Sequence, residues 1–382
     1  MSINRISMVK GPHSLILTVA MSLVVYSCAL LGHSGSNYGH IKEVQRGTFW
    51  YMETPPGMRF IPGGAFHKYT EQSLIQVNEP EESKSSRLCS VDGFHMDRNA
   101  VANRQYKQFL EEMLAIANRG KASQDNDLDS DFAPMDVADE EKDVNTTADT
   151  DNASTSIANG PFANITEAYI KEVLYPDLSE LREIFGDAEA AYYIENYFEY
   201  GGEGQPYANF PVLGICYEAA EKFCEWRTEK MNEYRKSQGL PPLPPFSLPT
   251  PEQREYAARG GHEMAIYPWG GPYVRDGKGD LLANFKTDAH YYGECGYKFA
   301  SPVGTFPPNG YGLHDMAGNV REYVKCSHKD GKITIETMGG SCLKIAHFMQ
   351  PSVREQVRSS RYKPCDAGFR CVLPHVGTEP NQ

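Results

Sequence analysis

The chain has 382 residues, 40% of them hydrophobic, a formal net charge of -13 and nine cysteines. That length fits one large domain with insertions or two small ones, and the apolar content supports a real core. The acidic balance argues against binding nucleic acid by phosphate neutralisation, which requires an excess of cationic side chains.

The first residues carry Arg5 and Lys10 and no acid, followed by SLILTVAMSLVVY over 14–26, small Ser27 and then Cys28. A basic start, a short apolar run and a small residue form a secretory signal, and the run is too short to remain as a bilayer-spanning helix. A cysteine directly after the cut predicts lipoprotein processing, with the signal over 1–27, lipidation at Cys28 and a tether over 28–52. Val25 and Tyr26 stand where a lipobox usually has Leu and a small residue. Plain secretion with a free Cys28, or an uncleaved anchor helix, are the alternatives at this point. Ala29 rather than Asp follows the cysteine, which points to the periplasmic face of the outer membrane. No second apolar run reaches membrane length.

Residues 57–67 predict a strand, a Gly-Gly turn and the start of a second strand, and VDGFHM over 91–96 predicts another short strand. Residues 99–118 place Tyr106, Phe109, Leu110, Met113 and Leu114 at helical spacing, with Asn103 as a cap. The composition then shifts: residues 121–160 hold eleven acidic residues against two lysines, with Phe132 the one aromatic, which predicts a mobile acidic insertion. DNDLDSDFAPMD, inside it, lacks the glycine and the closing glutamate of an EF-hand.

Beyond it, aromatic-rich 187–200 is expected to be helical and PVLGI at 211–215 a short strand. The helix over 217–236 turns Ala219, Ala220, Phe223, Trp226, Arg227, Met231 and Tyr234 to one face, and Arg227 can bury its stem there. A Pro-rich spacer over 240–245 ends it. TPEQREYAAR over 250–259 predicts a helix capped by Thr250, with Pro251 in its first turn and Gln253 completing a capping box. The final third, rich in Gly, Pro and aromatics, suggests short elements only. Eight cysteines besides Cys28 leave their pairing open, and no Cys-x-x-Cys spacing suggests zinc.

From Pro211 to Cys371 the ordered segments FPVLGICYEAAEKFCEWR, SLPTPEQREYAARGG, YPWGG, ANF, SPVGTFPPNGYGLHDMAGNVREY, GGS and GFRC resemble the formylglycine-generating, or sulfatase-modifying factor, family. GMRFIPGGAF at 57–66 resembles that family's opening motif. The resemblance implies an α+β class, the irregular mixed fold of that family, akin to C-type lectins, over 53–376. Two family tryptophans are arginines here, Arg254 and Arg321.

The family's activity needs two thiols after the GGS motif to hold copper(I), a soft ion suited to sulfur. Family spacing puts those positions at Lys344 and Met349. Cys342 lies nearby, and no cysteine occurs between 343 and 364. The expectation is therefore no copper and no enzyme activity. The resemblance further implies a disulfide between Cys224 and Cys371, and a calcium site from Asp315, Gly318, Val320 and Glu322, in which two carboxylates and two carbonyls suit a hard cation. A second family calcium site maps to Asn284, Phe285, Cys295 and Tyr297, where Cys295 replaces its one charged ligand.

Within the family, the lipoprotein start, YPD at 175–177, ENYF at 195–198, RTEKMNEYR, PWGGPYVRDGKG and GGSCLKIAHFMQ resemble the gliding-motility lipoproteins of Bacteroidota, which belong to the type IX secretion apparatus. WYMETPPGMRFIPGG and YPWGGPYVRDGKGDLLANFK are similar to the ring-forming K-type; ENYF and RTEKMNEY are also similar to the J-type. The resemblance implies a non-catalytic subunit of a homo-oligomeric periplasmic ring, with an N-type gliding protein and other secretion components as partners and the outer membrane lipid as anchor. The alternative is an envelope lipoprotein that binds glycan or peptidoglycan.

Overall fold

The computed structural model describes residues 54–69, 86–129, 162, 164–287, 293–329 and 332–376, all within one unit, Met52–Gly377. The signal, Cys28, the tether and most of the acidic insertion lie outside the described residues. Helices and sheets mix without a repeating order, as an α+β class requires.

The opening motif folds as expected. Strand β1 (Met58–Ile61) runs to Pro62-Gly63, and β2 (Gly64–Tyr69) departs from it. The expected strand over 91–96 is instead two strands. β3 (Ser86–Val91) pairs antiparallel with β2, and β4 (Phe94–Asp97) pairs antiparallel with β1. Asp92-Gly93 joins them, so the chain passes from one sheet to the other at that dipeptide.

Helix α1 (Asn103–Asp129) buries Tyr106, Phe109, Leu110 and Met113, as their spacing predicted, and leaves Leu114 half-buried. It runs on to Asp129, so the first part of the acidic stretch is helical rather than looped. Asn103 is the first helical residue. Its side-chain amide donates to the carbonyls of Tyr197 and Tyr207, tying two loops to the helix start instead of capping it.

After a short helical stretch over Glu167–Tyr169 and Ile170–Leu174 come α2 (Leu181–Phe185) and α3 (Asp187–Asn196), and a 3-10 turn covers Glu199–Gly201. The strand expected over 211–215 is absent as a strand. Pro211 makes one bridge, to Ala102, and Val212, Leu213 and Ile215 are buried in irregular backbone. Gly214 breaks the extended run at φ 68°, and a Cβ there would lie 2.3 Å from the carbonyl oxygen of Asp177.

Helix α4 (Tyr217–Ser237) buries Ala219, Ala220, Phe223 and Trp226 as its spacing predicts, but Tyr234, placed on the same face, is 61% exposed. Phe223 stacks on Tyr106 at 6.0 Å and meets Phe109 and Phe369 edge-on at 5.7 and 5.2 Å, so α1 and α4 share one aromatic core. Each fully buried ring there stabilises the fold by about 1.5–3 kcal/mol. Helix α5 (Pro251–Arg259) carries the complete Thr250–Gln253 capping box with Pro251 in its first turn.

The final third holds more than short pieces. β5 (Arg321–Lys329) and β6 (Lys332–Met338) form an antiparallel pair in a sheet ordered β7-β6-β5-β8, with β7 (Arg354–Val357) and β8 (Ala367–Gly368) on its edges. β9 (Val372–Pro374) returns to the first sheet, giving the order β1-β4-β9. Among the described residues, no helix is long and apolar enough to cross a membrane.

Candidate functional site

The AGNVRE motif enters β5 from a loop whose backbone is unusual at three positions. Asp315 has φ 52°, Gly318 φ 74° and Asn319 φ 65°. Gly318 has no substitute here, because a Cβ would sit 2.5 Å from the carbonyl oxygen of Asn284. Asn319 accepts from the Ser301 amide at 2.8 Å and donates to the Ser301 carbonyl at 3.2 Å, so one side chain replaces a rung of backbone pairing. The Asn319 amide donates to the Asn284 carbonyl and the Cys342 amide to the Asn319 carbonyl. The loop thus joins the ANF, SPVG and GGS motifs into one unit.

At the end of the loop Glu322 is fully buried, and so are the two cations on it. Arg254 of α5 donates from Nε to Oε2 at 2.7 Å. Arg370 of the GFRC motif donates to both carboxylate oxygens, its Nη2–Oε1 contact being 2.6 Å. The remaining donors of Arg370 reach the carbonyls of Asp97, Arg98 and His314. Burial pushes the Glu322 carboxyl upward, but the two guanidinium groups outweigh it and hold the carboxyl below its usual range.

In this arrangement the residues expected to hold calcium, Asp315, Gly318, Val320 and Glu322, have other partners. Glu322, expected to supply charge to the cation, has both oxygens on guanidinium donors. The Gly318 carbonyl accepts from the Val320 amide, and Val320 itself is buried. A calcium ion would have to displace buried arginines, and breaking such a pair costs about 3–5 kcal/mol. Asp315 accepts from the Gly304 amide at 2.7 Å through Oδ2, leaves Oδ1 buried without a partner, and has its carboxyl raised by burial. The cavity beside it is only about 50 Å³, walled by Trp269, Phe306 and prolines. At the second mapped site Cys295 points its thiol at Oδ1 of Asn284, 3.1 Å away. Among the described residues, no three His, Cys, Asp or Glu side chains converge as metal ligands.

The segment after the GGS motif carries a different network. Lys344 pairs with Glu355 of β7 at 2.6 Å and lies 5.1 Å from the centre of the Phe348 ring. Glu355 also faces Arg321, 3.6 Å away, and Arg321 donates to Asp366 at 2.7 Å. Ser341 donates to the other oxygen of Asp366 at 2.6 Å. Met349 is fully buried against a cluster containing Tyr267, Ala283, Phe285 and Ala317. Cys342 is buried too, and burial pushes its thiol well above the usual range, opposite to the shift that makes a thiolate ligand.

Cys224 and Cys371 are brought together as the resemblance implies. Their sulfurs are buried 3.5 Å apart as thiols, wider than the ~2.05 Å of a disulfide. Asp97 holds this corner, accepting from the Cys371 amide at 2.9 Å and from Arg227 at 2.7 Å. Arg227 lies over the Phe246 ring, burying its stem as its sequence position suggested.

What sequence reasoning missed is the role of Arg254. Its departure from tryptophan was visible in the motif, but nothing in the spacing says that it points at Glu322.

Comparison with known proteins accords with this motif arrangement. Residues 51–374 match the sulfatase-modifying factor enzyme 1-like domain. The formylglycine-generating enzyme of Mus musculus is 26% identical over 339 residues, covering 83% of this chain and 75% of that protein. The inactive C-alpha-formylglycine-generating enzyme 2 of Bos taurus is 31% identical over 170 residues, covering 43% of this chain and half of that protein. Among solved structures, PvdO from Pseudomonas aeruginosa aligns at a TM-score of 0.45 and 19% identity, covering 87% of this chain and all of that one.

Proposed function

The chain belongs to the sulfatase-modifying factor enzyme 1-like family, and from that premise we propose that it is a non-catalytic member used as a rigid body for protein contacts. In this proposal it is an outer-membrane lipoprotein, anchored through Cys28 on the periplasmic face, and a ring-forming structural subunit of the type IX secretion and gliding machinery, K-type rather than J-type. Its partners would be further copies of itself, the N-type gliding protein and other secretion components. The fold's kinship with C-type lectins belongs to the same proposal.

One observation carries the non-catalytic reading. The two positions where the resemblance requires thiols hold Lys344, committed to Glu355, and Met349, sealed in a core cluster. An ammonium does not replace a thiolate toward copper(I), and a lone buried thioether cannot complete the pair. Meanwhile the scaffold motifs persist around Gly318, Asn319 and Glu322, as selection for shape without chemistry would leave them.

The test is turnover. The full chain, loaded with copper(I) under oxygen and given a cysteine-containing peptide, is expected to yield no aldehyde by mass spectrometry. Aldehyde that appears with copper and disappears on chelation would overturn the reading. The glycan-binding alternative draws on Tyr175, Tyr192 and Tyr200, which are exposed; retention on purified sacculi, lost when these are changed to Ser, would favour it.

A further inference from the structure

At the edge of the first sheet two imidazoles face each other. His95 of β4 is 1% exposed, and its Nε2 lies 3.2 Å from Nδ1 of His375, an exposed residue just past β9. Phe60 of β1 lies against both rings, with centroids 5.3 and 4.9 Å away. The remaining nitrogen of His95, Nδ1, is buried and has no hydrogen-bond partner. An unpaired buried N–H is rarer than an unpaired acceptor. The network therefore assigns the His95 proton to Nε2, where it is donated to Nδ1 of His375.

The same contact closes the end of the sheet. β4 and β9 pair over Phe94↔Pro374, His95↔Leu373 and Met96↔Val372, and the His375 amide donates to the Gly93 carbonyl at 3.2 Å. Among the described residues, no carboxylate offsets a positive charge on His95. From β1 the facing residue is Phe60. Along β4 the next ionisable group is Asp97, already held by Arg227 of α4 and the Cys371 amide. From the β9 side the group acting on His95 is His375 itself.

We propose that His95 and His375 form an acid-released latch that holds the end of β9 on β4 near neutral pH and lets it go in acid. Only one proton fits between the two nitrogens. A proton added at Nδ1 of His375 removes the acceptor; the bond survives only if His95 moves its own proton to Nδ1, where it has no partner. A second added proton puts two cations 3.2 Å apart. Burial first, and His375 second, lower His95 from 6.5 to about 4. A histidine whose folded value is depressed binds fewer protons folded than unfolded. Its stabilising contribution is therefore present above pH 6.5 and is lost as pH falls toward 4.

The test is amide hydrogen exchange on the full chain, read at His375 and at Phe223 of α4 as an internal control, with intrinsic rates corrected for pH. In the wild type, His375 protection is expected to fall about a hundredfold from neutral pH to pH ~4, as the depressed value implies, while Phe223 stays protected. His95→Leu should abolish that step. His375→Gln keeps an acceptor for His95 without a second charge and should make the step smaller. A flat wild-type profile, or an unchanged step in His95→Leu, would overturn the latch. Should His95→Leu fail to fold, His375→Gln decides: an unchanged step counts against the latch and a reduced one supports it.

Discussion

The Glu322 cluster and the Ser341–Met349 segment are two regions of one motif set, and this chain has placed charge in both. At Glu322 the substituted Arg254 is 1% exposed and meets a carboxylate fully withdrawn from water. At Lys344 the side chain is 30% exposed and meets Glu355 near the surface. The same kind of substitution, an apolar or thiol position turned basic, is enclosed in the core in one region and partly open to water in the other. Burial, rather than the number of ion pairs, decides which charges hold the fold.

The sharpest way to break that contrast is Glu322→Gln. It would leave Arg254 and Arg370 buried without a countercharge and is expected to cost about 3–5 kcal/mol in urea unfolding. A loss no larger than that of a surface change would show that water reaches the cluster. The same carboxyl makes a pH prediction. Its folded value is depressed, so its contribution is present above the unfolded carboxylate range and is lost as pH falls through the lowered folded value. Acid unfolding of the wild type should include this loss, and Glu322→Gln should be less stable at neutral pH with a shallower acid limb.

Next in size is the Cys224–Cys371 corner. With the sulfurs already 3.5 Å apart across 147 residues of chain, mild oxidation should join them with little rearrangement. Joining them should raise stability by about 2–5 kcal/mol, measured as a shift in urea midpoint that Cys224→Ser abolishes. An oxidised protein no more stable than the reduced one would place strain in the bond. The smallest expected effect is Lys344→Met, within about 1 kcal/mol, because a partly exposed pair contributes little. A loss several times larger would make the Ser341–Met349 network structural in the same sense as Glu322.

Much of this was legible in the sequence where local rules decide. Thr250, Pro251 and Gln253 specify the start of α5 by themselves, and Tyr106, Phe109 and Met113 specify the buried face of α1 by spacing. The β5–β6 pair went unread although Asp330-Gly331 between alternating residues is a hairpin signature; the surrounding Gly- and Pro-rich composition masked it. PVLGI failed as a strand because a tertiary contact, Gly214 against Asp177, dictates the backbone there. Glu322 was read as a cation ligand by family position, and its pairing with two guanidinium groups is a nonlocal fact. Arg254 and Arg370 lie 68 and 48 residues away along the chain, and only the fold brings them to one carboxylate.

The most direct measurement of the proposed role is a mild-detergent affinity purification of the native protein from outer membranes, with mass spectrometry of what accompanies it. The account predicts recovery in a large complex with the N-type gliding protein and other secretion components. Recovery of the protein alone, under conditions that keep other envelope assemblies intact, would contradict it.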